Sequence, residues 1–525
     1  MNEGSAYRVK FLKILMTLCL VFGIGAAILF LTTRLNRADR ETHYVDCSAS
    51  TNGDGTLDAP WNSLETVNDT TFAPGSQILF RSSTVCTGTL SPKGSGEAGN
   101  PIIIDRYSDG DKPLIAGNGA SNAVYFHNQE YWEIRNLEVT NDSAQASNRR
   151  GVYVIAENFG TAHYFRLINL EVHHVKGDNT KGQGGSAGIM FEVKGWIKST
   201  KFDDVIIDGC TVYTVDRTGI ASDSSWRSRP AIGRKIDNWA GWTNVVIRNN
   251  TVYDVGGDGI VVRNTTGALV EYNVVYDANM RSGEYCAGIW PWNSDYTVFQ
   301  YNEVYRVRTM KDGFGLNADF GTTGTIFQYN YSHDNEGGFI LVCAPSNRTN
   351  QDTIIRYNIS QNDRARIFAF HGSTINTQIY NNTVYIGPGQ RVRIVEQQPF
   401  GMGDTASQPV SAYFYNNIIY NQGGGQYMFM QGTTNVFDYN IFYGRRISGE
   451  PQDPHKLSAD PLLVSPGSGG SGLDAVSGYQ LQAGSPAIAS GMIISDNGGK
   501  DFWGNPVPQV VPPDRGAHQY STGNR

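Results

Sequence analysis

Four carboxylates fall within a short part of the chain and have the residue types and spacing that acid–base chemistry requires. Asp312 and Asp319 lie in MKDGFGLNADFG, and Asp334 and Glu336 lie in NYSHDNEGGF. Glycoside hydrolysis needs one carboxylic acid that donates a proton and a second carboxylate nearby. Mutual repulsion raises one of the two pKa values and keeps that group protonated. The pattern indicates a glycosidase site, with Asp312 and Glu336 as the working pair and Asp319 and Asp334 as further candidates.

The same residue types are also typical of ordinary turns. Asp and Asn side chains cap backbone amides, and a neighbouring glycine supplies the conformations that tight turns need. The stretch NYSHDNEGGF has two glycines directly after its acids, so it fits a structural explanation as well as a catalytic one. The surroundings of each carboxylate decide between the two explanations, and those surroundings depend on the fold.

Basic side chains follow the acids along the sequence. Arg364, Arg366 and Arg393 carry guanidinium groups, which bind carboxylates through two parallel hydrogen bonds. These arginines, together with His371 in AFHGS, are predicted to bind substrate. The structural alternative is that the arginines form ion pairs within the fold and that the single histidine is a satisfied structural residue.

Tryptophans form a third set of predicted substrate contacts. Trp226 lies in an insertion, residues 223–243, that interrupts the sequence pattern, and Trp290 and Trp292 lie in GIWPWNSD. Indole rings stack on sugar faces by burying C–H surface, and long loops on rigid scaffolds often form binding walls. The alternative is that these rings pack into a core of their own.

A repeat organises the chain and would position these residues. An Asn followed by short β-branched and aromatic runs recurs at intervals of 23 to 35 residues, as in RNNTVYDV and QYNEVYRV. Each unit holds two or three strand-like runs, shows no helical period and is too small to bury an apolar face alone. Stacked units of this length predict an all-β, right-handed parallel β-helix, with the Asn side chains hydrogen bonded along one column. The marker residues are Asn250, Asn273, Asn302, Asn330, Asn358, Asn382, Asn417 and Asn440.

Stacking would bring residues from separate repeats side by side. Parallel strands lie about 4.7–4.9 Å apart, so equivalent positions of neighbouring coils form columns. Counting forward from each marker Asn predicts that Glu336 lies one coil from Asp312, on one face of the solenoid. A carbohydrate polymer lying along that face would then contact the acids and the arginines.

Several motifs resemble those of a known superfamily. HYVDCSASTNGDGTLDAPWNSLETVN (43–68) resembles the opening segment of the pectin-lyase-like β-helix proteins, and GSGEAGNPIIIDRYSDGDKPLIAG (94–117) is similar to their first full coil. DPLLV, LQAGSPAI, DFWGNPVP and DRGAHQY resemble their closing segment. The resemblance implies the fold and a carbohydrate ligand. It does not choose a reaction, because the superfamily includes lyases, glycoside hydrolases, epimerases and phage tail-spikes.

The N-terminal residues differ from the rest of the chain. Residues 14–33 form an uncharged apolar run about as long as a transmembrane helix requires, and it lacks the layout of a cleaved signal peptide. We therefore expect a single-pass anchor with the β-helix on the extracytoplasmic side. A disulfide between Cys47 and Cys86, which requires an oxidising compartment, is predicted as well.

Charge excludes one class of partner. The net charge is −7, and residues 1–40 contribute +4, so the remainder carries −11. An acidic body is a poor binder of nucleic acid, whose affinity depends on phosphate neutralisation. The expected partners are a polysaccharide and, through residues 14–33, a membrane. The predicted organisation is a tail (1–13), the anchor (14–33), a linker (34–42), an N-terminal cap with the first coils (43–125), the β-helix (126–445) and a closing segment (446–525).

Three functions remain open on the sequence alone. The favoured one is a glycoside hydrolase that cleaves a polysaccharide and needs no cofactor. The second is a polysaccharide lyase or epimerase acting on a uronate polymer, with Lys311, Arg364 or Arg366 as base and Ca²⁺ held by Asp312 and Asp319. The third is a carbohydrate-binding or adhesive surface protein without catalysis.

Overall fold

The computed structural model describes residues 41–521, except residues 183, 310 and 401–409. The predicted anchor, residues 14–33, lies outside this range, as do the rest of residues 1–40. Among the described residues, no helix combines the length and the apolar character needed to cross a bilayer.

Three long parallel sheets form the walls of a solenoid, and each coil contributes a strand to each sheet in turn. In the described part of the chain the first sheet has 14 strands, the second 13 and the third 11. The first sheet contains Thr42–Val45, Gln77–Arg81, Ile102–Tyr107, Trp132–Arg135, Thr161–Ile168, Lys201–Asp208, Thr243–Arg248, Leu269–Glu271, Val298–Gln300, Ile326–Gln328, Ile354–Arg356, Thr377–Tyr380, Ser411–Tyr415 and Thr434–Asp438. The second contains Val85–Thr87, Leu114–Ala116, Glu138–Asn141, Glu171–Val175, Thr211–Val215, Thr251–Val255, Val274–Tyr276, Glu303–Tyr305, Tyr331–His333, Ile359–Gln361, Thr383–Ile386, Ile418–Asn421 and Ile441–Gly444. The third contains Asn122–His127, Arg150–Glu157, Ala187–Lys194, Thr218–Ser224, Ile260–Arg263, Ala287–Trp292, Phe314–Ala318, Gly338–Ala344, Arg366–Gly372, Arg391–Gln398 and Gly424–Met428.

Short elements complete the secondary structure. A small parallel sheet joins Thr322–Thr323 to Asn350–Gln351. The helix Leu64–Asp69 begins after Ser63, whose side chain accepts a hydrogen bond from the Thr66 amide. 3₁₀ segments occupy Pro230–Ile232, a single turn, and Leu473–Tyr479.

The core is a continuous apolar column inside the three sheets. In Thr251–Val255, for example, Val252 and Val255 are fully buried. Val252 lies in register with Val212 on one side and Val275 on the other, so valines stack from coil to coil. Burying each such side chain contributes about 1.5–3 kcal/mol, and no single coil can bury both sides of its strands without its neighbours.

The asparagine column predicted from the repeat is confirmed. Asn302 Nδ2 donates to Asn330 Oδ1 at 3.0 Å, and Asn330 donates in the same way to Asn358 at 2.9 Å. The ladder runs unbroken from Asn250 to Asn440, where Asp453 accepts the last bond. Each amide also bonds backbone groups in the turn between the first and second sheets, so the buried polar atoms of this turn are satisfied.

The two glycines of NYSHDNEGGF have a structural reason. A Cβ on Gly337 would lie 1.8 Å from the carbonyl oxygen of Asp312, and Gly338 has a positive φ of 140°. The coil that contains them therefore passes directly against the backbone beside Asp312, which no larger residue permits. This close stacking brings the segment that follows, Gly338–Ala344, alongside Phe314–Ala318.

The first and last parts of the described chain close the solenoid. Cys47 and Cys86, the pair predicted from the sequence, are joined in a disulfide. At the other end the closing segment packs Tyr479 against Tyr385, which lies on a strand of the second sheet. The insertion, residues 223–243, lies against the turns that follow the third sheet.

Candidate active site

A pocket of about 380 Å³ opens on the outer face of the third sheet. The floor of this pocket is a set of buried side chains that point away from the solenoid core, including Trp290 and Leu341. Charged side chains from several separate segments line the pocket, among them Lys181, Asp258, Asp312, Asp319 and Arg366. Its walls also contain Tyr285, Cys286, Ala287, Lys311, Asn317, Phe320, Cys343, His371, Gln398 and Phe400.

Asp312 lies just before the strand Phe314–Ala318. Gly313 follows it with a φ of 74°, a conformation that turns the chain into the strand. Burial raises the pKa of the Asp312 carboxyl to about 6, a shift that Asp319 reinforces and that the charges of Arg366 and His371 oppose. A carboxyl group with this pKa is partly protonated near neutral pH and can donate a proton.

Asp319 lies directly after the same strand, so one short segment supplies both carboxyl groups. Its Oδ1 accepts hydrogen bonds from the Phe320 amide at 2.8 Å and from the Cys343 thiol at 3.3 Å. Burial raises the pKa of Asp319, while these two donors favour its ionised form. The two carboxyls thus share a pocket but differ in hydrogen bonding, the condition under which one serves as acid and the other as carboxylate.

A third carboxylate, Asp258, lies beneath the pocket floor. It accepts hydrogen bonds from the Trp290 indole at 2.9 Å and the Ala287 amide at 3.1 Å, and it pairs with Arg217 at 3.0 Å. Burial opposes its ionisation, but Lys181 and Arg217 outweigh that effect and leave its pKa lowered. Asp258 therefore remains charged and fixes the Trp290 ring.

Lys181 reaches the pocket from a distant part of the chain. It lies in the connection between Glu171–Val175 and Ala187–Lys194, and its ammonium group donates to the carbonyl of Tyr285. The same nitrogen lies 5.1 Å from the centre of the Trp290 ring. Asn179 in this connection donates to the carbonyl of Arg281 at 2.5 Å, so two bonds hold the segment across the pocket.

Of the predicted basic residues, Arg366 and His371 line this pocket. Arg366 donates to the carbonyl oxygens of Gly337 and Asp312, both at 3.0 Å, so its guanidinium braces the turn that carries Asp312. His371 Nε2 lies 3.1 Å from Oε1 of the fully buried Glu396. Arg393 pairs with Glu396 as well and lines an adjoining cavity.

The predicted residues Glu336, Asp334 and Arg364 do not line this pocket. They line a different cavity, of about 530 Å³, near the turns before the third sheet. Glu336 accepts a hydrogen bond from the Thr309 amide at 3.0 Å, and Asp334 contacts His333 at 2.9 Å. The predicted pairing of Asp312 with Glu336 in one pocket is therefore corrected: Asp319 is the carboxylate that shares the pocket.

Turn length explains this difference. Eight residues, 306–313, connect the second and third sheets before Phe314, whereas four, 334–337, make the same connection one coil later. Counting forward from the marker Asn assumes equal turns. The longer turn brings the Asp312 side chain over the third sheet, while the shorter one leaves the Glu336 carboxylate beside the second.

The three predicted tryptophans have different positions. Trp290 lies in the pocket floor, and Trp292 packs edge to face on Phe320 of the pocket wall, with ring centres 5.8 Å apart. Trp226 instead packs against the solenoid core. The insertion that carries it is fixed by Arg229, which pairs with Asp295 at 2.6 Å and donates to the carbonyl of Gly321, two residues after Asp319.

Comparisons with known proteins agree with this architecture. No family model matches the chain. A lacto-N-biosidase from Bifidobacterium longum subsp. longum is 30% identical over 607 residues, an alignment that covers 91% of this chain and 36% of that protein. The chain thus spans about a third of the length of this curated relative.

Solved structures give the same fold. A GH136 lacto-N-biosidase from Eubacterium ramulus superimposes with a TM-score of 0.58 and 26% identity over 77% of this chain and 70% of that one. XylC in complex with xylose gives a TM-score of 0.52 over 91% of this chain and 98% of that one, at 13% identity, a likeness of fold alone. The chain is a right-handed parallel β-helix protein, the fold that its resemblance to the pectin-lyase-like superfamily implied.

Several pocket residues of this β-helix were not predicted as site residues: Asp258, Cys286, Cys343 and Lys181. Lys181 gives no signal in the sequence, because more than 100 residues separate it from its hydrogen-bond partner Tyr285.

The β-helix has no evident metal centre in the part of the chain that the structure describes. No group of three or more His, Cys, Asp or Glu side chains converges there in a way that could hold an ion. Asp312 and Asp319, the predicted Ca²⁺ ligands of the lyase alternative, have basic neighbours instead.

Proposed function

We propose that the protein is a glycoside hydrolase of lacto-N-biosidase type, with Asp312 and Asp319 as its catalytic carboxyl groups. The observation that carries this proposal is that the two carboxyls flank one strand, line one pocket and have different surroundings. The 30% identity to a lacto-N-biosidase supports both the reaction and the substrate class.

In this mechanism Asp312 acts as the general acid. Its carboxyl, with a pKa raised to about 6 by burial, donates a proton to the glycosidic oxygen as the bond from that oxygen to the anomeric carbon breaks. The leaving group departs as a neutral alcohol. Arg366 holds the Asp312 backbone, which fixes the direction of the proton transfer.

Asp319 supplies the second carboxylate. The Phe320 amide and the Cys343 thiol stabilise its negative charge and hold one oxygen in place. Its negative charge stabilises the oxocarbenium-like transition state, and hydrolysis is completed when water bonds to the anomeric carbon and gives up a proton to a carboxylate of the pair. Trp290 and Phe320 offer apolar surface for the sugar rings.

The elimination alternative has weaker support. Removal of a proton beside a uronate carboxyl needs a free base, but Arg366 is bound to two carbonyls and Arg364 lines another cavity. Lys311 forms an ion pair with Glu284 at 3.3 Å. A purely binding protein would not need two buried carboxyls that open into one pocket, since burying them costs stability.

Hydrolysis of an aryl lacto-N-bioside by the purified full-length chain tests the proposal. Asp312→Asn and Asp319→Asn are each expected to lower kcat at least about 1,000-fold, since each removes one of the two groups that the reaction needs. Asp334→Asn and Glu336→Gln, in the other cavity, are matched controls that should retain activity. Activity in Asp319→Asn equal to that of the unaltered protein would contradict the proposal, and ultraviolet absorbance from unsaturated sugar products would indicate elimination instead.

The proposal includes a location outside the cytoplasm. The disulfide between Cys47 and Cys86 is the kind of bond that persists in an oxidising compartment, and residues 14–33 have the composition of a membrane anchor. Alkaline carbonate extraction of membranes, with protease applied to intact cells, tests both parts. Release of the chain by carbonate would contradict the anchor, and full protection from protease would contradict the orientation.

A further inference from the structure

A second cavity, of about 530 Å³, adjoins the catalytic pocket. Lys311 and Arg366 line both cavities, so they form a shared wall. Arg391 and Arg393, on the strand Arg391–Gln398, form the far side. The two cavities together extend along the outer face of the third sheet, parallel to the solenoid axis, in the direction of the later coils.

The charge of this second cavity is one-sided. Four of the side chains that line it are cationic, and no acidic side chain lines it. Two acids lie beside these cations: Glu396 is fully buried and paired with Arg393 and His371, and Glu284 is paired with Lys311. This concentration of positive charge lies on a protein with a net charge of −7. A concave site of one sign raises the local concentration of oppositely charged ligands.

Two of the arginines, Arg391 and Arg393, have guanidinium nitrogens that can bind a ligand. Arg366 uses its donors on backbone carbonyls, and Lys311 contacts Glu284, so these two contribute mainly charge. Arg391 is exposed, and the side chain of Arg393 is 46% exposed even though one of its nitrogens bonds Glu396. Guanidinium groups bind carboxylate and sulfate oxygens through paired hydrogen bonds.

The next coil leaves the cavity open. Gly424 and Gly425 lie in register with Arg391 and Val392. A Cβ on Gly425 would lie 2.0 Å from the carbonyl of Val392, so only glycine lets that coil pack closely. No side chain of that coil therefore lies opposite Arg391, and the neutral amide of Gln426 lies opposite Arg393, so a ligand can reach both arginines.

We propose that this basic cavity is a subsite for an anionic group on the substrate, a carboxylate or a sulfate ester carried by a sugar next to the bond that is cleaved. This inference rests on the proposed function, because it treats the adjoining pocket as the place of cleavage. It identifies the preferred substrate as an acidic glycan.

Binding measurements with the full-length Asp312→Asn protein test this inference without any turnover. The ligands are neutral lacto-N-biose and two derivatives of it, one carrying a sulfate ester and one extended with glucuronic acid. One or both anionic ligands should bind at least about tenfold tighter than the neutral one at low salt, and the ratio should fall as salt is added. The arm that gains affinity identifies sulfate or carboxylate as the recognised group.

Variants locate the effect. Adding Arg391→Gln and Arg393→Gln should reduce the affinity ratio of anionic to neutral ligand to about one, while Arg391→Lys with Arg393→Lys should keep part of it. Arg308→Gln, in the cavity that contains Glu336, is the matched control and should leave the ratio unchanged. Thermal unfolding of each variant shows whether it is folded.

Two outcomes would overturn the inference: equal affinity for neutral and anionic ligands, or a preference that survives loss of both arginines. Each is distinct from failure of the proposed function, which is judged by hydrolysis of the neutral aryl glycoside. If the protein hydrolyses this neutral substrate but shows no preference for anionic ligands, the proposed function is supported and the proposed anion subsite is contradicted.

Discussion

Cys343 lies on the strand next to Phe314–Ala318, which Asp319 directly follows, and its sulfur is 3.3 Å from Asp319 Oδ1. Burial raises the pKa of this thiol well above its usual range, so the group stays protonated and can only donate to the carboxylate. A neutral donor that never competes as a base is suited to hold a catalytic carboxylate.

Replacing Cys343 by Ala should raise the pKa of Asp319, because one of the two donors to its charged form is lost. The acid limb of the kcat/KM profile should move to higher pH, by about half a unit, while Cys343→Ser keeps a donor and the original profile. Cys210→Ala, at another buried free cysteine, is the control. An acid limb that does not move in Cys343→Ala would show that the thiol only fills space.

Lys181 should tune both catalytic carboxyls. Its positive charge lowers the pKa of Asp312 and of Asp319, so Lys181→Met should move both limbs of the pH–rate profile to higher pH. The matched control is Lys198→Met, because Lys198 also donates to a carbonyl, that of Phe159 at 2.7 Å, on an exposed part of the surface. If the maximum rate changes but the pKa values of the two limbs do not, Lys181 acts only in loop packing.

The asparagine ladder should dominate local stability. Asn330→Ala removes one amide that makes four buried hydrogen bonds, to Phe299, Asn358 and, twice, Asn302. Leaving these partners unsatisfied should lower the free energy of unfolding by roughly 3 kcal/mol. Asn100→Ala, at an exposed asparagine, should cost less than about 1 kcal/mol. Denaturant unfolding measures both, and equal costs would contradict the ladder's role.

His333 predicts a pH dependence of stability. Burial opposes its protonation, but hydrogen bonds with Asp334 and Glu303 outweigh burial and raise its pKa in the folded protein above the usual 6.5. Its stabilising contribution is therefore complete below pH 6.5 and is lost as the pH rises through the folded value. His333→Gln should remove this loss from the thermal unfolding profile above pH 6.5.

The control for His333 is His518, where the sign is reversed. Burial lowers the pKa of His518 to about 4, so its contribution is present above pH 6.5 and is lost as the pH falls towards 4. His518→Gln should alter only the acidic side of the profile. If both variants altered thermal stability on the same side of pH 6.5, the opposite directions of these two pKa shifts would be contradicted.

The repeat predicted the fold because its signal comes from many equivalent positions. The marker asparagines need one conformation in every coil, so Asn250 and Asn440 give the same pattern although 190 residues separate them. The three sheets and the hydrogen-bonded column follow from that periodicity. The conformation of individual turns does not, because turn length varies between coils without changing the strand pattern.

The site was only partly predictable for the same reason. Asp312, Asp319, Arg366, His371 and Trp290 lie on or beside strands of the third sheet, and the sequence indicated them. Glu336 was placed by assuming a constant turn, and the eight-residue turn before Phe314 broke that assumption. The position of Lys181 in the pocket is set by a loop that reaches over from another coil, and no local sequence pattern predicts such a contact.

The placement of both acids at the ends of Phe314–Ala318 makes the reactive centre independent of solenoid length. Adding or deleting a whole coil elsewhere would move the neighbouring walls but could not separate Asp312 from Asp319. Under the proposed function the cleavage centre and the anion subsite of Arg391 and Arg393 lie on different coils, so a change in the later coil would alter ligand preference without moving Asp312 or Asp319.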